Sequence, residues 1–319
     1  MDAKITKQRI GGMLSYDWFK IVAVAAAAIL VWSLVLTMTA TRITPAQQFT
    51  VFNHYANNGL LSDYNKMQRN GVFSYEVLEC NENDLTIAGD QYGTILQTRT
   101  ATAEGDIMFI PNLPDPTTEF TNQANEKEYK YTYLQTFVAG YGYVLYDLDP
   151  NSENGYFAQM DTFLDGYYGG DHKTGALDTA KVEADFRART KKDKRFKTDE
   201  QKAQGVQDEI ARIQKYKTAY DTFMNEYLNT YVTFTDVKYV DEATNTTVFE
   251  GKYAINVCPE GVEKMKNIKN HASYRTETNN QETKDMHVTF FKYKEVTDGF
   301  QYETLLYLNA VIADCLAAN

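Results

Sequence analysis

The sequence predicts an α/β protein: a mixed, mostly parallel sheet with flanking helices, one N-terminal transmembrane helix and a long helical insertion. Three observations carry this reading. Residues 48–110 alternate strand, helix, strand, helix, strand in their apolar periodicity. Residues 21–40 (IVAVAAAAILVWSLVLTMTA) run for twenty positions without a charge. Residues 177–228 repeat apolar side chains at intervals of three and four, the period of an amphipathic helix.

The apolar run is read as an uncleaved anchor. Twenty residues at roughly 1.5 Å each span about 30 Å, the hydrocarbon thickness of a bilayer. Lys4, Lys7, Arg9 and Lys20 precede it and only Arg42 follows closely. The positive-inside rule then makes residues 1–20 a cytoplasmic tail, 21–41 a single-pass span in the cell membrane, and 42–319 an extracellular domain. Tyr16, Trp18 and Phe19 sit where an interfacial aromatic belt belongs. A cleaved signal would have a shorter apolar core and a small-x-small site, which Thr39-Ala40-Thr41-Arg42 does not supply.

Charge divides along the same boundary. The 319 residues carry a formal −11. Residues 1–42 hold five Lys/Arg and two Asp, a balance of +3, which leaves −14 for the rest. An acidic domain of this kind excludes a nucleic-acid partner, because phosphates are bound by Lys and Arg. A hydrophobic share of 43% excludes both a disordered chain and a polytopic membrane protein. Three cysteines exclude a disulfide scaffold. Cys80, Cys258 and Cys315 fit one bridge with a thiol left over, or three buried thiols.

In the ectodomain, 43–47 is a spacer and 48–55 (QFTVFNHY) a strand. Residues 59–69 carry Leu60, Leu61, Tyr64 and Met67 at helical spacing, ending at Asn70-Gly71. Residues 72–80 return to period two, 90–104 are helical, and 106–110 (DIMFI) form a short buried strand closed by Pro111. A proline-bearing loop covers 112–121, and 129–139 is helical. Glycines break the chain at 140–142 and 166–170, where Tyr141, Tyr143, Tyr167 and Tyr168 are expected near the surface. The insertion, 177–228, holds a helix to Arg189, a basic turn KKDKRFK (191–197), and a Thr198/Gln201 capping box opening a long helix. Its stripe of Ile213, Tyr216, Tyr220 and Phe223 reads as core packing. Strands at 230–240 and 246–257 make a hairpin, 259–269 is helical, 272–285 is a polar loop, 286–294 is a strand, and 300–318 is the closing helix.

Enzyme signatures are missing: there is no G-x-S-x-G, H-E-x-x-H, C-x-x-C, P-loop or S-x-x-K. No catalytic residue, metal or cofactor is expected. His54, His172, His271 and His287 are scattered without ligand spacing. Gly140-Tyr141-Gly142 begins like a dinucleotide loop, but Leu145 stands where the third glycine belongs. Asp147-x-Asp149-x-Asn151 begins like an EF-hand, but Ser152 and Ala158 replace the glycine and the bidentate glutamate. Ligands of open α/β sheets bind beyond the carboxyl ends of the strands. That places the candidate ligand-binding residues at His54, Tyr55 and Asn57 after the first strand, and Asn112 after 106–110.

The segment Leu96 to Ile110 (LQTRTATAEGDIMFI) resembles the helix and G-D-strand of extracellular solute-binding proteins of ABC importers. The stretch from Lys191 to Tyr216 (KKDKRFKTDEQ…ARIQKY) and the Tyr16–Phe19 motif resemble a group of membrane-anchored extracytoplasmic proteins of Gram-positive Clostridia. The resemblance implies a periplasmic-binding-protein-like fold, capture of a small solute or peptide, and an ABC permease as partner. Two departures stand beside it: no lipobox cysteine is present, and the ectodomain is shorter than many of that class. The competing expectation is a structural or interaction protein of the cell envelope with no small-molecule ligand. An exposed apolar stripe on 177–228 would favour that alternative.

Overall fold

The runs QFTVFN and IMFIP contain almost no polar position, which suits strands covered on both faces at the centre of a sheet. A computed structural model places them there. It describes residues 11–12, 18–39, 43–44, 47–53, 59–61, 71–84, 92–241, 244–276, 278–294 and 298–318. The chain divides into two units, 1–42 and 43–319.

In the first unit, α1 (Trp18–Thr39) is a helix built from Ala, Val, Leu and Ile without Gly or Pro. Its Trp18–Leu36 stretch is the one helix among the described residues long and apolar enough to cross a membrane, and a signal sequence passes the same test.

In the second unit the strands are β1 (Gln48–Asn53), β2 (Gly59–Leu61), β3 (Glu79–Asp84), β4 (Ile107–Pro111), β5 (Glu119–Thr121), β6 (Lys127–Tyr129), β7 (Thr233–Asp241), β8 (Thr246–Asn256), β9 (Ala272–Arg275), β10 (Gln281–Glu282) and β11 (Met286–Phe290). The helices are α2 (Tyr92–Ala101), α3 (Tyr133–Tyr141), α4 (Tyr156–Asp165), α5 (Thr179–Arg189), α6 (Asp199–Thr222) and α7 (Glu303–Ala317). The main sheet has six strands in the order β3-β1-β4-β11-β8-β7. The sheet is less parallel than expected. Its β3–β1 and β1–β4 ladders are parallel, whereas β4–β11, β11–β8 and β8–β7 are antiparallel. The cause is local: β7 and β8 form a hairpin, and β11 enters without a crossover helix.

Each face of the sheet has its own core. On one, Phe49, Val51, Phe109, Ile255, Val288 and Phe290 pack with residues of α4, α6 and α7. On the other, Phe52, Met108, Ile110 and Ala254 meet Leu96 of α2 and Leu134, Phe137 and Val138 of α3. Each fully buried large side chain contributes roughly 1.5–3 kcal/mol. Both cores lie wholly within 43–319.

The G-D pair before β4 is a structural lock. Gly105 has φ +141°, and a Cβ there would come within 2.6 Å of the Phe52 ring. The Asp106 carboxylate accepts the Thr50 N–H at 2.8 Å and pairs with the Lys294 ammonium at 2.6 Å, both charges buried.

The insertion is pinned by charge as well as by apolar contact. Both Arg189 (2.7 Å) and Arg195 (2.8 Å) bind the Glu76 carboxylate. Glu209 accepts from Arg189 at 2.9 Å, from Arg212 at 2.6 and 3.0 Å, and from the Tyr75 hydroxyl at 2.7 Å. The Arg189 and Arg212 guanidiniums each lie 5.2 Å from the centre of the Phe300 ring. Burial alone would raise the Glu76 and Glu209 carboxyls; the arginines hold both below the ordinary carboxylate range. The apolar stripe of α6 is covered: Val206, Ile213, Tyr216 and Tyr220 are buried.

Several local expectations are corrected. Residues 72–80 were expected as a strand, but 71–78 is a run of turns and the strand begins at Glu79. Ser74 gives its N–H (3.0 Å) and hydroxyl to Glu303, and Glu76 turns toward the arginines, so ladder bonding is replaced by these contacts. The expected 59–69 helix begins instead as β2, paired with β9, and 62–70 lie outside the described residues. The supposed loops 112–121 and 272–285 contribute β5, β9 and β10. Residues 263–270 form a 3₁₀ rather than an α-helix. Tyr168 is buried in the core, not surface-facing. In the EF-hand-like turn, the Lys252 ammonium sits 2.7 Å from Asp149, so a side chain supplies the cation.

Candidate functional site

Strand direction gathers one set of residues at one end of the sheet. β1, β3 and β4 run the same way, and β8 runs with β4, since both are antiparallel to β11. The carboxyl ends of β1, β4 and β8 therefore lie beside the start of β11. In the order β3-β1-β4 the chain leaves β1 to one side and returns to the other. The β1/β4 boundary is thus a topological switch point, where crevices open in α/β sheets.

Asn53, the last residue of β1, stands at that boundary in register with Phe109. Its side chain is fully buried. Its Nδ2 donates to the Ser273 carbonyl at 3.5 Å, a long bond, and its Oδ1 has no hydrogen-bond partner among the described residues. An orphaned buried acceptor costs roughly 1–3 kcal/mol.

A groove of about 650 Å³ opens along the same end. One wall follows β8: Cys258 to Gly261, then Glu263, Lys266 and Lys269. The other is Gln281 to Asp285, leading into β11. Gln281 connects it to Asn53, because its side-chain amide donates to the Ser273 hydroxyl at 2.8 Å and the Ser273 carbonyl takes the Asn53 amide.

The groove carries both signs of charge. Lys266 pairs with Glu263 at 2.8 Å. Lys269, Lys284, Glu260, Glu282 and Asp285 make no ion pair among the described residues. The Cys258 thiol lies 3.5 Å from the Thr283 hydroxyl, and burial pushes its pKa up, so it is a neutral thiol rather than a nucleophile. His287 lies just beyond, with Nδ1 2.7 Å from the Asp285 carbonyl and Nε2 2.9 Å from the Thr235 hydroxyl. Burial lowers its pKa to about 4, which keeps it neutral. No group of three His, Cys, Asp or Glu able to hold a metal occurs among the described residues. The arrangement suits reversible binding of a small polar molecule bearing charges of either sign.

Of the residues expected here, His54, Tyr55 and Asn57 lie outside the described residues. Asn112 does reach the groove wall, but through its backbone: its N–H donates to the Asp285 carbonyl at 2.8 Å. Its side-chain oxygen instead accepts the Thr132 hydroxyl at 2.5 Å, bracing the cap of α3. Its side chain is thus engaged within the fold. Sequence reasoning passed over Asn53 and the two walls. The signal for Asn53 was present: a lone amide closing an otherwise apolar buried strand.

Comparison of the chain with known protein families, curated proteins and solved structures finds no match.

Proposed function

We propose that this is a membrane-tethered extracytoplasmic binding protein that captures a small polar solute or short peptide in the groove at the carboxyl end of its sheet. Residues 42–319 are the extracellular part, and 21–41 hold it in the bilayer. The observation that carries the reading is the buried Asn53 Oδ1 at the switch point, without a partner among the described residues and linked through Ser273 and Gln281 to a mixed-charge groove. The chain binds and does not catalyse. The groove's thiol, Cys258, is buried and neutral. The likeness of Leu96–Ile110 to solute-binding proteins supports a periplasmic-binding-protein-like fold and makes an ABC permease the implied partner. The alternative role, as a structural protein of the envelope, rests on the long helix α6 and the closing helix α7; burial of the α6 stripe favours the binding reading.

The test is thermal unfolding of residues 43–319 against a panel of amino acids, short peptides, sugars and polyamines. A ligand at about 100 times its Kd adds roughly 2.7 kcal/mol, equivalent to about 5–10 °C for a domain of this size. Lys284→Glu, which reverses charge on one wall, is expected to remove that shift. A panel that leaves the wild-type midpoint unmoved at millimolar concentration overturns the reading.

A further inference from the structure

The turn between α5 and α6 divides its side chains into two sets. Arg189 and Arg195 point inward to Glu76, and Phe196 packs edge-on against Phe186 at 4.9 Å between ring centres. Asp193 is occupied by the Arg195 guanidinium and backbone N–H. These contacts fix the backbone. The remaining four residues, Lys191, Lys192, Lys194 and Lys197, are exposed, and their ammonium groups make no ion pair or hydrogen bond among the described residues. The next acids along the chain, Asp199 and Glu200, open α6, and Asp199 is paired with Lys202. A rigid knob therefore displays four unpaired positive charges within seven residues, on a domain whose overall balance is −14.

We infer that this knob is a docking surface for a bilayer bearing anionic lipid headgroups. Four exposed ammonium groups spread over seven residues are complementary in charge to an extended layer of negative charge. Such a layer attracts each nearby Lys by about a fivefold factor in binding. Salt at physiological strength screens charges beyond about 8 Å. The acidic bulk of the domain is thus largely invisible at contact, while the four lysines are felt in full. Because the acidic faces are repelled at shorter range, contact selects one orientation. A fixed backbone also lowers the entropy lost on docking. The inference rests on the tethered reading for its setting: if α1 spans the bilayer, only residues 40–47 join it to β1, at most about 28 Å of chain. The bilayer is then present at high effective concentration, and even weak affinity is saturated.

The test uses residues 43–319, which contain both cores, in co-sedimentation with vesicles. Binding is expected to vesicles of equal parts phosphatidylglycerol and phosphatidylcholine, to be absent with phosphatidylcholine alone, and to weaken as salt rises. Each Lys→Ala change among the four is expected to cost about fivefold. The Lys→Glu quadruple variant is expected to lose binding while keeping the wild-type unfolding midpoint, and the Lys→Arg quadruple variant to retain it. Equal binding to both vesicles, or equal binding by wild type and the Lys→Glu variant, overturns the proposal. Retention on a soluble polyphosphate without vesicle binding also overturns it, in favour of a wall polymer. Full-length protein resisting alkaline carbonate extraction reports on the anchor separately, and the groove assay is independent of all four lysines.

Discussion

The guanidinium of Arg189, at the end of α5, lies 2.7 Å from the carboxylate of Glu76, 113 residues earlier in the chain. Glu76 is 2% exposed at its side chain and is shared with Arg195. Removing the acid takes one carboxylate from each of two partly buried guanidiniums, leaving Arg189 with Glu209 and Arg195 with Asp193. Breaking a buried pair from one side typically costs about 3–5 kcal/mol. Glu76→Ala is expected to lower the urea unfolding free energy by that amount, with the denaturant slope unchanged. The double variant Glu76→Leu/Arg195→Met should recover part of the loss. A single-variant loss below about 1 kcal/mol would show that the cluster is solvated and marginal.

Stability should fall with acid in two stages. His287 titrates near 6.5 in an unfolded chain but only at about 4 when buried beside Thr235. Between those values the unfolded state takes up a proton that the native state refuses. The His287 contribution is therefore complete above pH 6.5 and is lost on going down to about 4, by roughly 3 kcal/mol in all. Glu76 and Glu209, with native pKa values below the ordinary range, behave similarly lower on the scale: their contribution is present above about pH 4.3 and disappears only as pH falls below it. Urea midpoints at pH 7, 5.5 and 4.5 should decline in the wild type and stay nearly level in His287→Gln. A flat wild-type profile would contradict the burial of a neutral imidazole.

How much of this was legible depended on whether a signal was local. α6 was readable because its Thr198/Gln201 cap and its apolar spacing both lie within one stretch of chain. The strands 48–53 and 107–111 were readable because burial on both faces leaves an uninterrupted apolar run. The 72–80 segment was not, since its alternation is satisfied by turns whose partners, Glu303, Arg189 and Glu209, are more than a hundred residues away. The β10 wall of the groove failed for a related reason. Its residues are polar, so only pairing with β9, itself paired with distant β2, distinguishes a strand from a loop. The expected site and the groove both lie at the carboxyl ends of the strands. Sequence reasoning selected Asn112, whose side chain is spent on a helix cap, and missed Asn53, whose side chain is not.

Gly105→Ala tests the lock before β4. The backbone at φ +141° is open to glycine alone, and a methyl group would strike the Phe52 ring. Strain and overpacking together should cost about 2–4 kcal/mol. The clash can be separated from the backbone term with Gly105→Ala/Phe52→Leu, which should recover the packing part only. Unchanged stability in Gly105→Ala would mean that the loop relaxes freely, and the Asp106 contacts with Thr50 and Lys294 would then hold the segment.

Asn53→Leu separates stability from binding. Asn53 is fully buried, yet its Oδ1 has no partner among the described residues and its Nδ2 makes only a 3.5 Å bond. Leucine has the same number and branching of side-chain heavy atoms, removes the orphaned acceptor and adds apolar contact. The expected result is a gain of about 1 kcal/mol, the net of an acceptor relieved and a weak bond lost. A buried polar group kept at a cost to stability is a common mark of function. The same substitution should therefore remove the ligand-induced thermal shift of residues 43–319, because it deletes an acceptor at the switch point. Paired urea titrations and thermal shifts on wild type and variant read both effects. If Asn53→Leu lowers stability by more than 1 kcal/mol, the amide is structural and the groove loses its strongest claim. If it raises stability and leaves the shift intact, the ligand sits farther along the groove, toward Lys269 and Lys284.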